Sequence, residues 1–213
     1  MKKYFFITIA IAALLTSCSK SESQMDRTIF IHDELDAQLP AYTEWGYNAF
    51  GAKVNRLYFL SSNSIMPCKT LYKDGMLRFS LSGLYNSSYV GGVQHTEMTL
   101  TFCFPLEQIR QYSDLLTLNN KDIELSSPET LVILNKIEYS GQTRYETTDT
   151  LTVVGGDLIF RRAQLLNIDN EPNRAILSGT FDFRYLDGDY FPAHFSDGRF
   201  DMGINNDNFY AYY

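Results

Sequence analysis

The stretch Leu177-Ser178-Gly179-Thr180-Phe181-Asp182-Phe183-Arg184-Tyr185 decides the fold class. Leu, Gly, Phe, Phe and Tyr hold every second position, and Ser, Thr, Asp and Arg fill the gaps. Successive side chains of a strand point to opposite faces, so this period of two gives one face to a core and the other to water. The same pattern recurs elsewhere in the chain. Leu77, Phe79 and Leu81 alternate with Arg78, Ser80 and Ser82. Met98, Leu100, Phe102 and Phe104 share a face, with Thr99, Thr101 and Cys103 on the other. Near the end, Phe200, Met202 and Ile204 read as inward, Arg199 and Asp201 as outward.

Composition agrees. The 213 residues include 15 Phe and 15 Tyr, and long Ala/Glu/Lys/Leu blocks are scarce, which is strand chemistry rather than helix-bundle chemistry. Further strands are predicted at Asn55 to Leu60 and Leu131 to Tyr139. Turn signals punctuate them. Lys73-Asp74-Gly75 predicts a hairpin, and Gly155-Gly156-Asp157 predicts another, joining Tyr145–Val154 to Leu158–Leu166. Asp187-Gly188 and Ser196-Asp197-Gly198 predict two turns framing a short strand. From Leu106 to Leu118 the period changes to that of an amphipathic helix, with Pro105 at its start. The expectation is an all-β, mainly antiparallel fold, a sandwich or a small barrel, with one short helix near 106–118.

The N-terminus has a different character. Lys2 and Lys3 precede an apolar run from Tyr4 to Leu15 that is too short to span a membrane but has the layout of a secretory signal. The following Leu15-Thr16-Ser17-Cys18 resembles the lipobox of bacterial lipoproteins. That resemblance implies a signal peptide over 1–17, a lipid on Cys18 that anchors the chain to a membrane, and, with Ser19 next, delivery to the outer membrane. Residues 18–40, rich in Ser, Asp, Glu and Gln and closed by Pro40, read as a flexible tether, leaving 41–213 as a single β-rich domain. Two of the 18 basic residues and none of the 25 acidic ones precede Cys18. The mature chain is therefore strongly acidic, which argues against nucleic acid as a partner.

Two internal segments carry a second resemblance. Tyr47-Asn48-Ala49-Phe50-Gly51-Ala52-Lys53-Val54-Asn55-Arg56 with Pro67-Cys68-Lys69 is one; Ser178-Gly179-Thr180-Phe181-Asp182-Phe183 with Ser196-Asp197-Gly198-Arg199-Phe200-Asp201 is the other. Together with the lipobox they resemble a group of Bacteroidota lipoproteins with an uncharacterised domain. The likeness implies location and fold type, and brings no catalytic residues with it.

Candidate chemistry is sparse. The three His are His32, His95 and His194, and the chain holds no nucleophile elbow, His-Glu-x-x-His helix or Cys-x-x-Cys pair. Once Cys18 is taken by lipid, Cys68 and Cys103 remain, to form a disulfide or to stand as two free thiols. Asp182 and Asp201 form the best carboxylate pair, although charged cross-strand pairing on a wet sheet face explains them as well. Asp169-Asn170-Glu171 and Asp187-Gly188-Asp189 lack the spacing of a calcium loop, so no metal and no cofactor is expected.

Loop aromatics are the stronger signal. Trp45, Tyr47 and Tyr190 are candidates to hold a glycan or protein ligand, because aromatic rings stack on sugar faces and anchor interfaces. Asp149-Thr150-Leu151 resembles a bacterial O-glycosylation motif and marks Thr150. The function expected is a non-catalytic binding or structural module at the cell surface. The alternatives are a lipocalin-like carrier of an apolar ligand and, third, a hydrolase.

Overall fold

The computed structural model describes residues 27–85, 96–140, 142–167, 174–188 and 191–212. Among these residues eleven strands form one sheet: β1 (Ala49–Val54), β2 (Leu57–Leu60), β3 (Cys68–Lys73), β4 (Met76–Tyr85), β5 (Thr96–Pro105), β6 (Lys121–Glu124), β7 (Leu131–Ser140), β8 (Thr143–Leu166), β9 (Arg174–Leu186), β10 (Pro192–Ile204) and β11 (Phe209–Tyr212). Eight of them close on themselves in the order β4-β2-β1-β10-β9-β8-β7-β5, with β5 pairing back onto β4. Every pairing in the ring is antiparallel. The fold is thus the small barrel of the two expected forms. β3 and β11 extend the sheet beyond β4, and β6 lies against β8.

An eight-stranded barrel has an interior just wide enough for side chains to fill. Here phenylalanine fills it. Phe79, Phe160 and Phe200 meet at centroid distances of 5.0 to 5.5 Å, Phe102 packs on Phe181 at 5.4 Å, and Phe183 stacks on Phe195 at 4.8 Å. Leu77, Leu81, Leu100, Leu158, Leu177 and Met202 are fully buried around them. The outer face is polar, with Ser80–Thr101 and Ser82–Thr99 hydrogen-bonded at 2.9 Å across β4 and β5. Apolar inside and polar outside is the reverse of the pattern of a membrane-spanning barrel.

Three elements differ from the sequence expectation. The helix is a 3₁₀ helix of seven residues, Tyr112–Leu118, rather than an α-helix from Leu106. Pro105 is the last residue of β5, and Gln108 takes a positive φ of 58°, so no helix can run through the intervening segment. Asp114 sets the start instead, accepting hydrogen bonds from the backbone N–H of Arg110 and Gln111. Leu106, Ile109, Leu115 and Leu118 are buried in the core, the first two from outside the helix.

Gly155-Gly156-Asp157 is not a turn. β8 runs unbroken through it for 24 residues; its register against β9 shifts just before, between Val153 and Gly155, and the glycines themselves pair with Arg184 and Phe183. At Gly156 (φ 122°) a Cβ would sit 2.2 Å from the carbonyl oxygen of Asp182, so only glycine allows the approach. Ser196-Asp197-Gly198 is likewise a bulge within the continuous β10, with Asp197 at φ 55°. The Asp74-Gly75 hairpin between β3 and β4 forms as expected.

Part of the stretch expected as a tether is folded. Residues 18–26 lie outside the described residues, but the rest of the stretch packs on the barrel. Leu39 is fully buried, Ile29 N–H bonds to Tyr47 O, and Ala41 N–H to Ile31 O. Asp33 pairs with Arg199 at 2.6 Å, and Asp36 with Lys53 at 2.8 Å. Residues 28–40, expected as part of the tether, therefore belong to the packed domain.

Candidate functional site

Asp201 lies on β10 between Ala49 of β1 and Ser178 of β9. Alternation predicts it outward, yet it is buried, because the loop Tyr42–Tyr47 folds over it. Its carboxylate holds that loop. Oδ2 accepts hydrogen bonds from Thr43 Oγ1 at 2.6 Å, Trp45 N at 3.0 Å and Tyr47 N at 3.2 Å. Oδ1 accepts from Gly46 N at 2.7 Å and Ser178 Oγ at 2.8 Å. Five donors around one ion offset its burial, as the cost of hiding a charge demands. Asp201 is thus a structural clasp and makes no pair with Asp182.

The clasp fixes the backbone of Trp45, a residue that remains 67 % exposed. Beside the ring is a groove of about 450 Å³ between Tyr42, Glu44, Arg162 and Gln164. Its polar walls are tied together. Tyr42 donates its hydroxyl to Glu44 Oε1, Gln164 donates to Glu44 O, and Arg162 donates through two nitrogens to Gln164 Oε1. Burial, reinforced by the Glu44 carboxylate, pushes the Tyr42 phenol above its usual range, so it stays a donor at any physiological pH. A planar ring rimmed by ordered donors and acceptors suits a ligand with both an apolar face and hydroxyl or amide groups.

A second hollow of about 320 Å³ lies on the outer face of β8, β9 and β10, and Tyr42 forms its wall. Asp157 and Asp182 stand opposite one another there in the β8–β9 register, and Asp197 and Arg199 reach it from β10. Asp182 meets His194 Nε2 at 2.7 Å, and Asp197 meets Lys53 Nζ at 3.1 Å. The carboxyl of Asp157 is raised by partial burial and then by the charges of Asp122 and Glu124.

The remaining expected residues fall as follows. Tyr47 is half-buried, its N–H and C=O both engaged, and it does not line the groove. Tyr190 and Cys18 lie outside the described residues, as do His95 and Asp169-Asn170-Glu171. Thr150 is exposed on β8. Cys68 and Cys103 form no disulfide; they are free thiols on β3 and β5, separated by β4, two strand spacings apart and beyond S–S reach. Burial pushes the Cys68 thiol up to about 12 and raises Cys103 as well, leaving both poor nucleophiles. Among the described residues, no group of three or more His, Cys, Asp or Glu is placed to hold a metal ion, and no helix is long and apolar enough to cross a membrane.

Arg162, Gln164 and Asp157 were missed by the sequence reading. One local signal marks the first: two arginines in succession break the alternation of β8, and the register shifts between Phe160 and Arg162. Comparison of the chain with protein-family models, curated proteins and solved structures gave no match.

Proposed function

We propose that the protein is a non-catalytic binding module, held at the outer membrane through a lipid on Cys18, and that it takes its ligand on Trp45. The observation that carries this reading is a largely exposed indole on a loop pinned from beneath by a buried carboxylate. Exposing a large aromatic forgoes burial free energy of about 2 kcal/mol or more, and rigid presentation lowers the entropy lost on binding. Both features favour recognition.

The rival readings have less support. A carrier of apolar ligands needs a hollow barrel, and this interior is packed with phenylalanine rings. A thiol hydrolase needs an accessible, activated cysteine, and both described cysteines are buried with raised pKa values. On the lipid-anchor reading, the ten residue-to-residue steps from Cys18 to Thr28 span at most about 35 Å, so the groove works close to the membrane surface.

Trp45 is the sole tryptophan, so its emission reports on the proposed site directly. Free protein should show the red-shifted emission of a hydrated indole. A ligand found on glycan and host-protein arrays should shift or quench it, and Trp45→Ala should weaken that ligand at least tenfold while leaving the thermal midpoint within about 2 °C. An array without a reproducible ligand, or unchanged affinity in Trp45→Ala, would sink the proposal.

A further inference from the structure

We infer that the ligand of Trp45 is an uncharged oligosaccharide of several units, laid along β8 from Trp45 across Tyr42 to the hollow of Asp157 and Asp182. The inference rests on Trp45 being the binding site, and it adds the ligand's class, length and course.

The two hollows share Tyr42 as a wall and follow one another along a single strand. Asp157, Ile159 and Arg161 line the first; Arg162 and Gln164 line the second. The bulge at Phe160/Arg162 turns both arginines outward, so polar side chains stand on the outer face of β8 on either side of Ile159. At about 3.3 Å per residue, the path from Asp157 to Gln164 covers roughly 20 Å. A single sugar or other compact ligand would leave most of that path empty, whereas a chain would follow it.

The chemistry of the path selects the chain. Glu44, Asp157, Asp182 and Asp197 face Arg161, Arg162 and Arg199, so opposite charges nearly cancel and a polyanion gains little. Carboxylate and guanidinium groups are planar and two-pronged, which matches neighbouring hydroxyls on a sugar ring, while Trp45 and Tyr42 offer ring faces to its C–H side. The other extended ligand, a peptide, binds sheets by adding a strand to an open edge. Over the half of the path next to Asp157 that route is closed. Between Asp157 and Phe160, β8 is paired with β6 on one side and β9 on the other.

Isothermal titration with neutral oligosaccharides from disaccharide to hexasaccharide tests this, with a sulfated polysaccharide and an extended peptide library as competing arms. Wild-type protein should bind the hexasaccharide at least tenfold more tightly than the disaccharide, with little dependence on salt. The Asp157→Asn/Arg161→Ala double variant should bring hexasaccharide affinity down to that of the disaccharide. If the gain with length survives in that variant, or only the polyanion or the peptide binds, the inference is overturned and the Trp45 reading stands. If Trp45→Ala binds the disaccharide as well as wild type does, the Trp45 reading falls with it.

Discussion

Asp201 shows how a single residue can convert a core into a site. A carboxylate with five hydrogen bonds, three of them from consecutive backbone amides, is worth more than its neighbours because its alternatives are poor. Removing the charge leaves those amides under a loop with no equal acceptor. Asp201→Asn, close in shape, should cost about 2 to 4 kcal/mol in urea denaturation and loosen Trp45, whereas Ser178→Ala, which removes one donor, should cost about 1 kcal/mol. Equal losses in the two variants would mean that the loop does not depend on the ion. The sequence could not give this role. Period-two alternation assigns Asp201 to water, and that assignment fails only because a segment some 155 positions away in the chain, at Gly46, closes over it.

At the scale of elements, β8 is both the main organiser and the main misreading. Where one face of a strand is buried, the pattern is legible: every inward residue of β9 from Leu177 to Tyr185 is buried as its alternation says. Glycine, in contrast, signals either a turn or a close backbone approach, and only the partner strand decides which. The two glycines of β8 separate these meanings. A Cβ at Gly155 meets no atom within 4 Å, while one at Gly156 runs into the backbone of Asp182 and Phe183. Gly155→Ala should therefore cost less than about 0.5 kcal/mol and Gly156→Ala more than about 2 kcal/mol. Comparable effects at the two positions, measured by denaturation, would contradict this close approach. The same logic covers the candidate site. Asp157 and Asp182 meet through register, and Arg162 and Gln164 meet Glu44 through tertiary folding, so neither grouping has a local sequence signature.

The whole molecule carries an asymmetry between acid and alkali that follows from what it buries. Asp33 lies below the usual carboxylate range, mainly through the Leu35 N–H and aided by Arg199. Asp36 does so against the opposing effect of burial, through Lys53 and the Gln38 N–H. A depressed carboxyl stabilises the fold above its unfolded pKa, and that contribution is lost as pH falls through the folded value, so the acid limb begins only below about pH 4. On the alkaline side the signs reverse. Burial raises Cys68 and Tyr185 to about 12, and Tyr42, Tyr58, Tyr85 and Cys103 shift the same way. Each such group favours the fold fully below its unfolded pKa and loses that contribution as pH climbs toward the folded value. The unfolded thiol and phenol ionise near 8.5 and 10, so stability should stay level from about pH 5 to 8 and fall steeply between about 9 and 12. Cys68→Ala, which removes the largest buried thiol shift, should flatten the start of that fall near pH 9 while lowering stability at neutral pH through the lost packing. Urea midpoints taken across this range read the effect. A curve symmetrical about neutrality, or an alkaline limb unchanged in Cys68→Ala, would show that the buried thiol does not govern the onset.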